Sequence, residues 1–384
     1  MTRILAVRLD SDGDVLLTGP AIRALSALGP VDLLASPSGA AAARLLPGVD
    51  TVLEYDAPWS GFRPPPVNAP ATLRLVERLR RGGYGRAAIF TSFHQSPLPM
   101  ALLARMAGIG HVVGTSVDYP GSLLDVRLRR EDPPGGGHEV EAALEVAVAA
   151  GAPRPRDPRL AVRRPLPPLT DRLPADLRSG GYVVLHPGAS VPARGLRAEH
   201  AAGLAAALAE AGHAVVVTGG PAERELAAAT VAGALRRQPA GTVVDLAAAT
   251  DLAGLAAVLE AACCTVVGNT GPAHLSAAVG TPVVSLFSPV VPAERWAPWG
   301  VPVRLLGDQH APCRDSRARE CPVPGHPCLG GVTGDQVAEA VAALVAAPAA
   351  EPPDGGPVPA PGAGPGNLPA PRTPSPREGD PCAS

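Results

Sequence analysis

Residues 264–287 read CTVVGNTGPAHLSAAVGTPVVSLF, and this stretch decides the fold class. Its apolar runs predict strands over Cys264–Gly268 and Pro282–Phe287. The segment between them predicts a helix over Pro272–Val279, since proline is favoured in the first turn of a helix. Two strands joined through a helix form a unit in which the strands run parallel.

The same alternation of strands and helices runs along most of the chain. In the first half, the predicted strands are Ile4–Leu9, Val31–Ala35, Thr51–Tyr55, Ala87–Phe90 and His111–Thr115, and the predicted helices are Thr72–Arg81, Leu98–Ala107 and His138–Ala150. In the second half, strands are predicted at Tyr182–His186, Ala214–Thr218 and Thr242–Leu246, and helices at Ala198–Ala211, Ala222–Leu235, Asp251–Ala261 and Gly334–Ala347. We therefore predict an α/β protein with two doubly wound, Rossmann-like domains that face each other across a cleft.

Composition predicts the domain boundaries. Residues 152–181 are rich in proline and arginine, and because proline interrupts helices we expect an inter-domain linker there. The two domains are then 1–151 and 182–347. Residues 348–384 are mostly Pro, Gly, Ala and Ser, which bury too little apolar surface to offset the entropy of ordering. We predict that this tail is disordered.

Charge and apolar patterning exclude several classes of protein. The net charge is −2, which gives no general attraction to nucleic acid and predicts at most peripheral contact with a membrane. All 33 basic residues are arginines. No apolar run is long enough for a membrane span, and the first residues lack the pattern of a signal peptide, so we expect a cytoplasmic protein.

Three cysteines lie close together in the sequence, at Cys313, Cys321 and Cys328. Their spacings are wider than the paired ligands of a usual zinc site, so reduced thiols are favoured over a metal site or a disulfide. We therefore predict no bound metal.

The end of the first strand carries a dense group of carboxylates, in the segment VRLDSDGDV at residues 7–15. Gly13 permits a tight turn, and Asp14 then falls at the mouth of the cleft, near a helix that starts at Val15 or, because of Pro20, at Thr18. Asp14 is either a helix cap or a functional carboxylate on this spacing. The segment lacks the pattern G-x-G-x-x-G, which disfavours a nicotinamide or flavin enzyme.

Loops that suit a nucleotide follow the strands of the second domain. The sequence HPGAS at 186–190 precedes Arg194, so a loop of small residues and a cation could hold a phosphate. TGG at 218–220 precedes Glu223, which could accept hydrogen bonds from a ribose or simply favour the helix dipole.

The segment GNTGPAH at 268–274 is the strongest of these signals. The backbone N–H groups of Thr270 and Gly271 are predicted to point out of the helix end, where they would bind a diphosphate. His274 lies in the first turn of the same helix, where a histidine alone is more often structural than functional.

These segments together resemble glycosyltransferase family 9, whose best-known members are the ADP-heptose:lipopolysaccharide heptosyltransferases. The resemblance extends over most of residues 3–345. It rests on the sequences RLDSDGDVLLTGPAIRAL, HPGAS, TGG and GNTGPAHLSAAVGTPVVSLF, in that order along the chain.

The resemblance implies the GT-B architecture and an inverting transfer of a sugar, such as heptose, from an ADP-sugar to a hydroxyl of a glycan or glycolipid. The ADP-sugar is a substrate, and no cofactor is implied. Asp14 matches the family's catalytic base, and Ser11 and Gly13 would contact the acceptor. The donor site would comprise Ser190, Arg194, Thr218, Gly219, Gly220, Glu223, Asn269, Thr270, Gly271 and His274.

Two positions depart from the family pattern. Arg194 stands where the family has a phosphate-binding lysine, and Asn269 stands where many members have aspartate. Two other functions remain open at this point: a sugar-nucleotide epimerase of the same architecture, and a degenerate module that only binds a nucleotide sugar.

Overall fold

The computed structural model describes residues 2–61, 63–92, 95–130, 137–169 and 173–346. They form two parallel sheets of six strands, each covered by helices on both faces, as expected for the GT-B architecture. The predicted disordered tail, 348–384, lies outside the described residues. None of the described helices is long and apolar enough to cross a lipid bilayer.

The first sheet is built from residues 3–128. Its strands are β1 (Arg3–Arg8), β2 (Val31–Ala35), β3 (Val49–Glu54), β4 (Tyr84–Phe90), β5 (His111–Thr115) and β6 (Val126–Leu128). Its helices are α1 (Asp12–Leu17), α2 (Gly19–Ser26), α3 (Ala40–Leu45), α4 (Ala69–Gly82), α5 (Leu98–Met106) and α6 (Glu139–Ala149).

The second sheet is built from residues 183–306. Its strands are β7 (Val183–His186), β8 (Val215–Val217), β9 (Val243–Asp245), β10 (Cys264–Gly268), β11 (Val283–Leu286) and β12 (Val303–Leu306). The helices of this half are α7 (Ala198–Glu210), α8 (Arg224–Arg237), α9 (Leu252–Ala261), α10 (Gly271–Val279), α11 (Ala293–Trp296), α12 (Pro327–Gly330) and α13 (Gly334–Ala346).

Both sheets have the same strand order. The order is β3-β2-β1-β4-β5-β6 in the first and β12-β11-β10-β7-β8-β9 in the second, which is the same arrangement read from the other edge. The order therefore reverses between β1 and β4, and again between β7 and β10. In open parallel sheets a ligand binds beyond the carboxyl ends of the strands at such a switch point. The predicted site segments follow β1, β7, β8 and β10.

The central strands are mostly apolar because helices cover both of their faces. The side chains of Leu5 and Val184 are completely buried, and so is that of Leu33. One apolar cluster extends from the first sheet through Leu160 and Tyr182 to Leu275 on α10, so the two halves share part of their core.

The predicted linker packs closely on its surroundings where it is described. The backbone N–H of Arg163 donates to the carbonyl of Leu45 at 2.7 Å, and the indole of Trp299 donates to the carbonyl of Pro158 at 3.1 Å. The segment thus contacts both halves of the molecule. The predicted domain boundaries at 151/152 and 181/182 remain a prediction.

One buried carboxylate ties three strands of the first sheet together. Asp32 on β2 accepts from the guanidinium of Arg3 at 2.6 Å and from the hydroxyl of Tyr84, on β4, also at 2.6 Å. Burial and the bond to Asp32 raise the pKa of Tyr84, so its hydroxyl stays a donor. This is a charge-assisted hydrogen bond in the interior, the kind that contributes most to stability.

We expect Tyr84→Phe to lower the free energy of unfolding by about 1.5–3 kcal/mol, because it removes a hydrogen bond to a buried charged acceptor. Tyr55→Phe is the matched control, since its hydroxyl forms a hydrogen bond with the neutral hydroxyl of Thr72 at 2.9 Å. The control should cost about 0.5–1.5 kcal/mol. Urea denaturation followed by tryptophan fluorescence measures both. Equal losses of unfolding free energy in the two variants would contradict the expectation that the bond to Asp32 contributes more than the bond to Thr72.

Candidate functional site

Asp14 lies on the third residue of α1, beyond the carboxyl end of β1. Its Oδ1 accepts from Nη2 of Arg8 at 3.1 Å, and its Oδ2 accepts from the hydroxyl of Ser11 at 3.1 Å. About a fifth of the Asp14 side chain is exposed, whereas Ser11 lies at the surface. The carboxylate is therefore held in place yet still reachable from the cleft.

The predicted start of this helix was wrong, and the error bears on Asp14. The helix that carries Asp14 begins at Asp12 with Ser11 in the capping position, not at Val15, whereas Thr18, the predicted alternative cap, caps the next helix, α2. Asp12 forms two hydrogen bonds with backbone that is distant in the sequence. Its N–H donates to the carbonyl of Ser38 at 3.0 Å, and its carboxylate accepts from the N–H of Ala42 at 2.9 Å. Asp14 thus does not cap the helix, and its carboxylate faces Arg8 instead.

Arg8 is the cation behind Asp14, and only 3% of it is exposed. The same Nη2 that donates to Asp14 donates to Ser92 Oγ at 2.9 Å. Its Nε lies 2.9 Å from Asp10. A buried guanidinium is costly unless carboxylates surround it, so the pairs stabilise each other.

Asp10 is the most perturbed carboxylate of the group. Burial raises its pKa to about 6, while the charge of Arg8 opposes the shift. Its side chain also accepts from the amide of Gln95. The first half of the site therefore holds two carboxylates around one guanidinium, and burial raises the pKa of one of them.

From the second half, Arg194 faces the same region. It ends a short 3-10 turn, Pro192–Arg194, in the loop after β7. A Cβ on Gly268 would lie 2.6 Å from the carbonyl oxygen of Arg194, so this glycine allows the loop to pass close to β10. Burial lowers the pKa of Arg194, and the charge of Asp14 opposes that shift.

His274 sits in the first turn of α10 and is almost fully buried. Burial lowers its pKa to about 4; Asp14 opposes this effect and Arg194 adds to it. The ring is therefore neutral at neutral pH. Within the part of the chain that the structure describes, neither Nδ1 of His274 nor Nε of Arg194 has a hydrogen-bond partner, which is unusual for buried polar atoms.

The two halves meet at this point through glycines. A Cβ on Gly13 would lie 3.2 Å from the Cα of Gly271 and 3.1 Å from the ring of His274. Because Gly13 and Gly271 have no side chains, helices α1 and α10 approach closely, with the ring of His274 against Gly13. The predicted acceptor residue Gly13 is buried in this contact.

The predicted anion site on α10 needs one correction. The N–H of Thr270 is not free, because it donates to the carbonyl of Gly268 at 2.8 Å. Gly271 is the first residue of α10, and its backbone N–H lies close to Gly13 on α1. Of the two consecutive N–H groups that the sequence indicated, only that of Gly271 therefore stays available for the predicted anion site, together with Arg194.

Asn269 has a structural partner. Its Oδ1 accepts from the N–H of Ser288 at 3.1 Å, and its Nδ2 donates to the carbonyl of Ser288 at 3.2 Å. Both ends of the amide are therefore engaged by one residue of the loop after β11. An ionised aspartate at this position could make only the first of these bonds.

Glu223 has the structural role that its position at the start of a helix suggested, and its contact with a ribose stays a prediction. Its Oε2 accepts from the N–H of Gly220 at 2.6 Å and lies 3.6 Å from Nε2 of His186. His186 in turn is 3.0 Å from the hydroxyl of the buried Thr218. The carboxylate lies across Gly188, where any side chain would overlap it. A carboxylate has about four lone-pair directions, so Glu223 can still accept from a ligand.

The remaining predicted residues lie at the edge of this region. Ser190 is exposed in the loop after β7, and Gly219 is half-buried beside the Cβ of Glu223. They lie with Gly220 at the carboxyl ends of β7 and β8, on the same side as Arg194.

The sequence did not indicate several residues that the structure brings to Asp14. Arg8 contacts Asp14 directly. Asp10, Ser92 and Glu139 all interact with Arg8. The signal available in the sequence was the pair of charges at the end of an otherwise apolar strand, Arg8 and Asp10.

A metal site is not evident. Within the described ranges, no three His, Cys, Asp or Glu side chains are grouped closely enough to hold a metal ion. The described cysteines, among them Cys313, Cys321 and Cys328, are free thiols.

Solved structures resemble the whole of this fold. The E. coli ADP-heptose LPS heptosyltransferase II superposes with a TM-score of 0.68 at 22% identity, over 90% of this chain and 98% of that one. A family 9 glycosyltransferase from Veillonella parvula gives 0.68 at 16% identity, over 90% and 97%. The E. coli heptosyltransferase WaaC with ADP-2-deoxy-2-fluoro heptose gives 0.61 at 21% identity, over 88% and 98%.

At these identities the superpositions establish the fold alone. A comparison with curated protein sequences finds no match. The model of one family, glycosyltransferase family 9 (heptosyltransferase), matches residues 72–326, which is well over half of the chain. The chain therefore belongs to glycosyltransferase family 9.

Proposed function

We propose that this protein is an inverting glycosyltransferase that moves a heptose from an ADP-sugar to a hydroxyl of a glycan or glycolipid, with Asp14 as the general base. The observation that carries the proposal is the convergence of Asp14, Arg194 and His274 at the contact between α1 and α10. Asp14 acts electrostatically on both of the other residues. The carboxylate of the first half that we propose as the base thereby lies near a guanidinium and the start of a helix from the second half.

The reaction needs a base because a sugar hydroxyl is a poor nucleophile until its proton is removed. As the acceptor oxygen attacks the anomeric carbon, its proton passes to Asp14 and the bond to the diphosphate breaks. A single displacement of this kind inverts the anomeric centre. Arg8 and Ser11 hold the two oxygens of Asp14 so that the carboxylate stays aimed at the cleft.

Charge on the departing ADP is stabilised from the second half. Negative charge grows on the diphosphate as the glycosidic bond breaks, and fixed donors near it lower the barrier. Arg194 Nε and His274 Nδ1 are buried polar atoms without partners in the described chain, which suits them to bind the diphosphate. The N–H of Gly271 adds a backbone donor at the start of α10.

The nucleotide identity is supported by a solved relative. The E. coli heptosyltransferase WaaC has been solved with ADP-2-deoxy-2-fluoro heptose and with ADP. In this chain Glu223 is placed to accept from ribose hydroxyls, with Ser190, Thr218, Gly219 and Gly220 around it. The charge stabilisation proposed here uses Arg194 and backbone, so we expect EDTA to leave most of the activity.

Asp14→Asn tests the base. It keeps the size of the side chain but removes its basicity, so the release of ADP in the presence of acceptor should fall by about 10²-fold or more. Asp12→Asn is the matched control on the same helix, since its carboxylate accepts from the backbone N–H of Ala42, which the oxygen of an asparagine amide can also do. ADP release and thermal melting are measured for both. An Asp14→Asn variant that turns over normally would refute the assignment.

Arg194→Ala tests the diphosphate site. Losing hydrogen bonds to a charged group should weaken ADP binding by about 10- to 100-fold, and Arg194→Lys should recover part of that loss. Arg197→Ala is the control, because it removes a neighbouring exposed arginine at the start of α7. Calorimetric titration with ADP measures the affinities. Equal effects at the two positions would place the diphosphate elsewhere.

Gly188→Ala tests the placement of Glu223. The added methyl would displace the Glu223 carboxylate, the flexible end of its side chain, so ADP binding should weaken by about tenfold with little change in melting. Gly203→Ala is the control: a Cβ there meets no atom within 4 Å inside α7, and the variant should be slightly more stable. Normal ADP affinity in Gly188→Ala would argue against a role for Glu223.

A further inference from the structure

Asp10 is a buried carboxylate to which the proposed reaction gives no role. Its side chain is only 10% exposed, and its Oδ2 lies 2.9 Å from Nε of Arg8. Although these two atoms are close, neither of them takes part in a hydrogen bond within the described part of the chain. The other oxygen, Oδ1, accepts from the side-chain amide of Gln95. Asp10 therefore acts on Arg8 through its charge, and Gln95 holds it in place.

Arg8 is shared between two carboxylates. Its Nη2 donates to Oδ1 of Asp14 at 3.1 Å, while Asp10 lies against its Nε. When both carboxylates are ionised, this group of three side chains carries one net negative charge. Burying that charge is costly. The cost is visible at Asp10, because burial and the charge of Asp14 raise its pKa while Arg8 opposes the shift.

The second carboxylate changes the effect of Arg8 on the proposed base. A guanidinium beside a carboxylate favours the ionised form, which makes that carboxylate a weaker proton acceptor. A neighbouring negative charge has the opposite effect. While Asp10 is ionised, it partly offsets the charge of Arg8, so Arg8 can orient Asp14 without suppressing its basicity. Proton abstraction needs both properties, since the base must be aimed at the hydroxyl and must also take its proton.

We propose that Asp10 is a positioning residue for the transfer, which acts through Arg8 and keeps the carboxylate of Asp14 basic enough to accept a proton. The inference rests on the proposed role of Asp14 as general base and adds a second carboxylate with a separate function. It implies that the rate depends on the ionisation of Asp10. As the pH falls and Asp10 takes up a proton, the full charge of Arg8 acts on Asp14 and the base weakens.

Other charged or titratable groups face these three side chains from α6, from the segment before it and from the second half. A substitution at Asp10 leaves all of them in place: Glu139, Arg130, Arg295, Arg194 and His274. A difference in pH dependence between the unsubstituted protein and a variant at Asp10 therefore reports the charge of Asp10 itself.

The experiment measures ADP release from ADP-heptose as a function of pH. Water and a mixture of methyl hexosides serve as acceptors, so the natural acceptor is not required. The full-length protein and Asp10→Asn are compared from about pH 5 to about pH 8.5, and the rate of Asp14→Asn is subtracted as background. At the upper end Asp10→Asn should be about three- to tenfold slower, because its base is weaker. Towards the lower end, where Asp10 is protonated in the unsubstituted protein, the two rates should converge.

This convergence distinguishes an effect of charge from a structural one. If Asp10 only supported the fold, its replacement would lower the rate by the same factor at every pH. Asp10→Glu keeps the charge and should restore most of the rate at high pH. Calorimetric titration with ADP should give the same affinity for Asp10→Asn as for the unsubstituted protein, since we propose that the diphosphate binds to the other half.

Gln95→Met is a second variant, which also serves if Asp10→Asn does not fold. It removes the hydrogen bond that favours the ionised form of Asp10. Asp10 should then take its proton at a higher pH, so the fall in rate should move upwards by about half a pH unit or more. The rate at the upper end of the pH range should stay close to normal.

The outcomes separate this inference from the proposed function. A ratio of the two rates that stays constant across the pH range overturns the inference, and so do equal rates at its upper end. The same holds if the profile of Gln95→Met does not move. If ADP release does not depend on Asp14, the proposed base itself fails, and the inference fails with it.

Discussion

The arrangement around the cleft depends on one buried guanidinium, that of Arg8. It ends the central strand of the first sheet, where helices on both faces keep water out. Such a charge is tolerated in the interior only when partners surround it. Asp10, Asp14 and Ser92 supply those partners, so the positions of the carboxylates follow from the need to neutralise Arg8. The proposed base is thus oriented by an interaction that also stabilises the fold.

The second constraint is the close approach of α1 and α10. Gly13 and Gly271 have no side chains to separate the two helices, so groups from the two halves lie close enough to act on one another. Asp14 influences Arg194 and His274 across this contact. Each sheet has one point at which its strand order reverses, and the contact between α1 and α10 brings these two points close together. A site shared between two halves in this way can be opened or closed by moving one half as a body.

The sequence predicted the architecture well because long apolar runs identify buried strands. The bounds of Val31–Ala35 and Cys264–Gly268 agree with the prediction. The edge strand Val303–Leu306 was missed, since it is only partly covered and mixes polar with apolar residues. The start of α1 was misplaced because bonds between Asp12 and backbone about thirty residues away determine it. Pairing of Arg8 was equally hidden, since a charge at a strand end looks the same whether it is buried or exposed.

The amide of Asn269 has a mechanical consequence. Because it bonds both to the N–H and to the carbonyl of Ser288, the loop after β10 and the loop after β11 cannot shift independently. The second of these loops runs directly into α11, which carries Arg295 to Glu139. These two hydrogen bonds and the ion pair therefore form a continuous connection from the start of α10, in the second half, to α6, in the first.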